Sequence, residues 1–316
     1  MTIRSAPPST ATHHMAAARR SALAGALLGM QWFGSVQAAT ATAPAAAAPP
    51  QAARSAVLSD KTLATAISRT HILVVGGTGR NGGAIVRALE AAGESPRVMA
   101  RDVAKAREQY TGLREWVQAD LTRPETLAEA LRGIDVVINA AATRDIEGPN
   151  GVEAVDLGGM QNLIVAAKAA RTRRIVFITG MLVGAPPPNL PPPMAKGFGA
   201  KRAAEKALIA SGLEYVILRP TGIQQRPGGV WAIRIVATDG YKSSPEEQQM
   251  RPGPLSSGPG SDAPPPEGTI SRDDLAEVSL VSAVDPQARN RVFVVTQGVG
   301  RATPDWRKAF GSMPSE

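Results

Sequence analysis

The stretch His71-Ile72-Leu73-Val74-Val75-Gly76-Gly77-Thr78-Gly79-Arg80-Asn81-Gly82-Gly83 decides how the rest of this chain is read. A short run of aliphatic residues predicts a buried strand, and it turns abruptly into glycines. The next segment, Ala84 to Ala92, is amphipathic and is closed by Gly93, as expected of a helix ended by glycine. Gly76, Gly79 and Gly82 are spaced three apart. A strand that feeds a glycine-rich turn into a helix start is the physical layout of a dinucleotide site. Glycine lets the main chain approach a diphosphate, and the first helical turn offers free N–H groups and a partial positive charge. On this reading Gly76, Thr78, Gly79, Arg80, Asn81 and Gly82 are cofactor-contacting positions.

The pattern repeats outward from this unit. Apolar runs at 97–100, 116–119, 135–140, 174–179, 215–220 and 291–295 alternate with helical patterns at 82–92, 103–109, 124–132, 151–170 and 199–211. Near-continuous apolar strands separated by helices predict an α/β fold, a doubly wound parallel sheet covered on both faces. Two stretches break the alternation. Residues 184–193 contain two proline triplets and follow the fifth strand, where an insert walls a ligand crevice in an open parallel sheet. Residues 224–268 are rich in Pro and Gly and read as an irregular insert.

The ends differ from the middle. The first acidic residue is Asp60. Before it, Arg19-Arg20 precede an apolar run from Ser21 to Gly34 and small residues through Ala38. A charged region, an apolar region and an A-x-A-like end make residues 1–38 an expected export signal, and the paired arginines point to the twin-arginine route and the periplasm. An uncleaved membrane anchor, an organelle transit peptide and an alanine-rich tail are the other readings of the same pattern. Residues 39–69 read as an Ala/Pro-rich linker, 70–300 as the single nucleotide-binding domain and 301–316 as a C-terminal tail.

Composition removes several chemistries. The chain of 316 residues has no cysteine, so disulfides and thiolate ligands or nucleophiles are excluded. Of three histidines, His13 and His14 lie in the leader and His71 opens the first strand, which leaves neither a histidine metal site nor the usual Ser-His-Asp arrangement. The net charge of +8 includes Arg4, Arg19, Arg20 and Arg54, which face no acids. The remaining domain is mildly basic and has no cationic stripe interleaved with aromatics, which argues against a nucleic-acid partner.

Four segments carry a resemblance: Gly76 to Gly82; Met99-Ala100-Arg101-Asp102; Lys201-Arg202-Ala203-Ala204-Glu205 leading to the run from Ser211 to Pro220; and Ile270-Ser271-Arg272-Asp273-Asp274-Leu275-Ala276. With them the chain resembles the atypical short-chain dehydrogenase/reductases of the NAD(P)-binding, NmrA-like group, which includes biliverdin reductase B-type flavin reductases. The resemblance spans residues 70–298 and implies a Rossmann-type sheet and a nicotinamide dinucleotide. It also suggests that Asp120-Leu121 is the adenine-edge pair, with a helix cap as the alternative role for Asp120. Ala140-Ala141-Ala142 would let main chain lie against the ribose and nicotinamide.

Charge predicts the cofactor. NAD sites place a carboxylate at the end of the second strand to accept from the ribose 2′-hydroxyl. Here that place holds Arg101, with Lys105 one turn further on, which favours the 2′-phosphate of NADP(H) unless Asp102 neutralises Arg101.

Classical members use a Ser, a Tyr and a Lys four residues after the Tyr. The matching lysine is Lys201, but Gly197 stands at the Tyr position, Phe198 is no donor, and Thr179-Gly180 occupies the Ser-like place. Lys201 and Thr179 are the catalytic candidates, with Lys201 also an expected ribose and nicotinamide anchor and Glu205 its expected i,i+4 partner. Tyr110 and Tyr215 read as packing residues, and Tyr241 is the tyrosine placed on a loop. Two functions are consistent with these residues: an NADPH-dependent reductase of a flavin, quinone or similar small-molecule acceptor, and a non-catalytic NADP-binding sensor or scaffold with a protein partner.

Overall fold

The computed structural model describes residues 60–112, 114–238, 241, 268–301 and 304–311. The expected export signal, residues 39–59 of the expected linker and most of the 224–268 insert lie outside the described residues.

The core unit is built as the sequence pattern implies. Strand β1 (Ile72–Val75) is buried at every position because helices cover both faces of the sheet. Helix α2 (Arg80–Ala91) returns over it and buries Ala84, Ile85, Val86 and Leu89. Next come β2 (Arg97–Ala100), α3 (Val103–Gln109) and β3 (Glu115–Gln118). A turn of 3-10 helix leads into α4 (Leu127–Leu131), followed by β4 (Val136–Asn139). A π-helical turn, Glu153–Gly158, runs into α5 (Gly159–Ala169). Strand β5 (Arg174–Ile178), α6 (Met181–Gly184), α7 (Pro192–Ile209) and β6 (Glu214–Pro220) follow.

The eight-stranded sheet has the order β3-β2-β1-β4-β5-β6-β10-β8, where β8 is Trp231–Thr238 and β10 is Arg291–Arg301. Every pairing is parallel except β10 with β8. The chain leaves β1 in opposite directions toward β2 and β4, so the carboxyl ends of β1 and β4 form the switch point where ligands settle in such sheets. A second, two-stranded sheet joins β7 (Gly222–Gln224) to β9 (Thr269–Ser271) and delivers α8 (Arg272–Val284) beside α2.

Several expected boundaries are corrected. Part of the expected linker is a helix, α1 (Lys61–Ser68), capped by Asp60, which accepts from the Thr62 and Leu63 N–H groups. It buries only Leu63 and Ile67, too few apolar positions to stand out in an alanine- and threonine-rich stretch. The expected C-terminal tail carries α9 (Lys308–Gly311) and buries Trp306 and Phe310, with the Phe310 ring 4.9 Å from Phe293. Arg307 ties it to α1 through Asp60 at 2.7 Å, and that bond holds the Asp60 carboxyl below its usual range.

Strand β8 lies inside the insert read as irregular. It is an edge strand paired antiparallel, so it alternates, with Ile233 and Ile235 buried and Arg234 exposed, rather than forming an apolar run. Helix α7 starts at Pro192, seven residues before the expected 199, because proline is favoured in the first helical turn.

Candidate dinucleotide crevice

The glycine turn is folded tightly on itself. Gly76 has φ +77°, and a Cβ there would stand 2.7 Å from the Ala141 nitrogen. A Cβ on Gly82 would collide with the Gly76 carbonyl oxygen. The Gly79 N–H closes the turn by donating to that oxygen at 2.9 Å. Gly79 caps α2, and among the described residues no side chain takes the N–H groups of the first turn. They are therefore left for a ligand, as a diphosphate cradle requires. Thr78 and Arg80 are exposed beside this turn and Asn81 is half-buried. Ala140 and Ala141, at the tip of β4, pack against Gly76, and the Ala141 N–H donates to Asn139 Oδ1 at 3.0 Å. Tyr110, expected only to pack, also donates its hydroxyl to the Thr78 carbonyl at 2.6 Å and braces the turn from α3.

At the tip of β2 the two expected cations are exposed. Asp102 is spent as the cap of α3, accepting from the Lys105 N–H at 3.0 Å, and does not neutralise Arg101. The Arg101 guanidinium reaches Asn150 Oδ1 at 3.5 Å, and neither Arg101 nor Lys105 forms an ion pair among the described residues. Asp120 accepts from the Thr122 N–H and hydroxyl in a local turn, while the residue capping the following 3-10 turn is Arg123 and not Asp120. Leu121 is buried, and its carbonyl accepts from Asn162 at 2.8 Å.

The other end of the crevice departs from expectation in its pairings. Lys201 donates to Asp156 Oδ1 at 2.9 Å and not to Glu205. Asp156 sits in the π turn, and its carboxylate is buried, met by Lys201 and by the Thr143 main chain. Burial raises its pKa, and the Lys201 charge opposes that rise. Glu205 turns instead to Arg219 of β6, at 2.6 Å, with both side chains fully buried. A fully buried guanidinium needs a charged partner more than the partly exposed Lys201, whose side chain keeps 17% of its surface in solvent. The Thr179 hydroxyl donates to the same carboxylate at 2.7 Å, so its proton is committed to Glu205.

Tyr241, at the end of the β8 arm, lies against this group. Its ring centroid is 4.9 Å from Arg202, 5.0 Å from Arg219 and 5.2 Å from Lys206. Burial, assisted by the Glu205 charge, pushes the Tyr241 pKa up to about 12. Arg202 donates to the Val183 and Gly184 carbonyls. It also lines a cavity of about 220 Å³ with Pro186, Pro187, Pro188, Leu190 and Phe198, so the first proline triplet does wall a pocket.

Sequence reasoning missed Asp156, the Glu205–Arg219 pair and Arg272. The signal for Asp156 was a lone acid among Val155, Leu157 and two glycines. Among the described residues there is no acid or histidine cluster able to hold a metal, and no helix is long and apolar enough to cross a membrane.

A parallel sheet whose switch point carries a bare glycine turn and an uncapped helix start defines a Rossmann-type nucleotide-binding protein. The model of the NAD(P)H-binding family matches residues 76–286, and the chain belongs to that family. The chain is 35% identical over 242 residues to the photosystem II assembly factor Ycf39 of Cyanophora paradoxa, covering 75% of this chain and 65% of that protein. This chain thus spans less than two thirds of that relative's length. The oxidoreductase ylbE of Lactococcus lactis has the same fold, with a TM-score of 0.57 at 22% identity over 77% of this chain and 96% of that one. A short-chain dehydrogenase/reductase of Veillonella parvula, solved in complex with NADP, aligns with a TM-score of 0.53 at 14% identity, over 73% and 96% of the two chains.

Proposed function

We propose that this protein is an NADPH-dependent reductase of a small planar acceptor of the flavin or quinone class. The observation that carries the cofactor choice is the cationic tip of β2. Asp102 caps α3, so Arg101 and Lys105 stand beside the glycine turn without a carboxylate, suited to a 2′-phosphate and unsuited to a bare ribose diol. The glycine turn and the first N–H groups of α2 would hold the diphosphate, Ala140 and Ala141 would floor the nicotinamide half, and Asp120-Leu121 would meet the adenine. Lys201, aimed by Asp156, would anchor the ribose hydroxyls.

Bound NADPH supplies a hydride. The chain places no phenol at Gly197, and the Thr179 proton belongs to Glu205, which favours acceptors that draw their proton from water. Such chemistry rests on positioning, and the cavity walled by the prolines and Arg202 offers a place beside α7 for the acceptor. The leader pattern at residues 1–38 supports export of the folded, cofactor-loaded protein.

A second reading, an NADP-binding scaffold without turnover, is favoured by Gly197 and by the assembly factor among the relatives. Purified protein titrated with NADPH and NADH, then supplied with flavin and quinone acceptors, separates the two. NADPH bound more tightly than NADH, with oxidation coupled to acceptor reduction, is the expected result. Tight binding with no turnover across acceptors selects the scaffold. Arg101→Glu should cost NADPH affinity about 10-fold or more and leave NADH little changed. Equal losses would remove Arg101 from the site.

A further inference from the structure

The charge around the glycine turn is unbalanced in a way that local spacing does not reveal. Arg272, first residue of α8, is only 7% exposed, yet it forms no ion pair with a carboxylate among the described residues. Its Nε donates to Asn81 Oδ1 at 3.0 Å, and its Nη1 donates to the Gln225 side-chain oxygen; both acceptors are neutral amides. Asn81 is the second residue of α2, so this contact joins residues 191 positions apart and brings Arg272 to the helix start that the glycine turn leaves open. Arg80 and Arg87, on the same helix, stand near enough to oppose its charge, and Asp273 is the acid that counters them. Asp274 is committed elsewhere, to Ser271, Gln297 and the Gly229 N–H.

A guanidinium is costly to bury without an anion, and more costly beside two others. Here Arg272, through its contact with Asn81, lies at the helix start where an anionic group would meet free main-chain N–H donors. We propose that Arg272 is a diphosphate ligand of the dinucleotide, supplied by the last helix of the domain and held in place by Asn81 and Gln225. This assignment rests on the dinucleotide reading above and adds to it a residue from outside the glycine turn. Arg101 would then select between the two dinucleotides, whereas Arg272 would serve both equally, since both carry the diphosphate.

The test is a set of dissociation constants for NADPH, NADH and adenosine 2′-monophosphate, a fragment without a diphosphate. They are measured on wild type, Arg272→Gln and Arg272→Lys, with thermal unfolding alongside. Arg272→Gln should weaken NADPH and NADH by the same factor, about 10- to 100-fold, the range for a lost hydrogen bond to a charged group. The fragment should bind as before. Arg272→Lys, which keeps the charge and loses the fork, should fall between, and it carries the test if the Gln variant does not fold. Dinucleotide affinities within twofold of wild type in a folded variant would overturn the assignment while leaving the cofactor reading intact. So would an equal loss for the fragment, which would mark a general distortion of the site. A wild-type protein that binds neither dinucleotide would overturn the cofactor reading, and this assignment with it.

Discussion

At the scale of single residues, the positions legible in the sequence were those whose chemistry is local. Gly76, Gly79 and Gly82 declare themselves by spacing, and Arg101 by its place at a strand tip. Partnerships were not legible, because burial decides them. Lys201 and Glu205 are neighbours on one helix face, yet Lys201 reaches back 45 residues to Asp156, and Glu205 goes to a fully buried Arg219. The Asp156–Lys201 pair has a pH signature. Because burial raises the Asp156 pKa, the folded protein takes up this proton at a pH above the ordinary value near 3.8, and uptake removes the anion that aims Lys201. Affinity for oxidised NAD, which has no titrating 2′-phosphate, should therefore fall on acidification from above the usual carboxylate range. Asp156→Asn should bind about 10-fold more weakly at neutral pH and lose that acid limb. A variant with an unchanged profile would place the pair outside the site. Tyr241 gives the opposite limb. Its pKa of about 12 exceeds the ordinary 10.0, so between those values the unfolded chain loses a proton that the folded protein keeps. Stability from this group is full below pH 10 and is lost as pH rises toward 12. A phenolate absorbance titration should show one late-ionising tyrosine, absent in Tyr241→Phe.

At the scale of elements, the seven strands expected from apolar runs are all present. Six are largely buried, and a strand buried on both faces cannot hide its composition, whereas β3, at the sheet edge with no buried position, shows only a weak apolar run. Elements buried on one side were harder to read. Strand β8 alternates with period two and was masked by its proline- and glycine-rich surroundings, and α1 shows only two apolar anchors. Those anchors nonetheless belong to the main core, where Ile67 is 1% exposed and packs in the same cluster as α2 and α8. Ile67→Ala should cost about 2–5 kcal/mol of unfolding free energy, the range for truncating a buried aliphatic side chain. Denaturant unfolding measures it. A cost below about 0.5 kcal/mol, typical of exposed sites, would return α1 to the status of a linker.

At the scale of the whole molecule, the residues of the proposed site, the glycine turn, the β2 tip, Lys201 and Arg272, come from segments spread over nearly 200 residues of chain, which only the folded state could present to one ligand. A ligand that touches all of them binds the native state and not the unfolded chain, so it must raise stability by mass action. At a concentration 100 times its dissociation constant the gain is about 2.7 kcal/mol. For a domain of this size that corresponds to a rise of about 5–10 °C in Tm. The rise should be larger with NADPH than with NADH at equal concentration, because the Arg101 and Lys105 end contributes to the first alone. The difference should collapse in Arg101→Glu, while the rise common to both ligands persists. This separates cationic selection at one end of the crevice from the diphosphate cradle that both ligands share. Equal shifts with the two ligands in wild type would mean that the charge at the tip of β2 faces solvent and selects nothing.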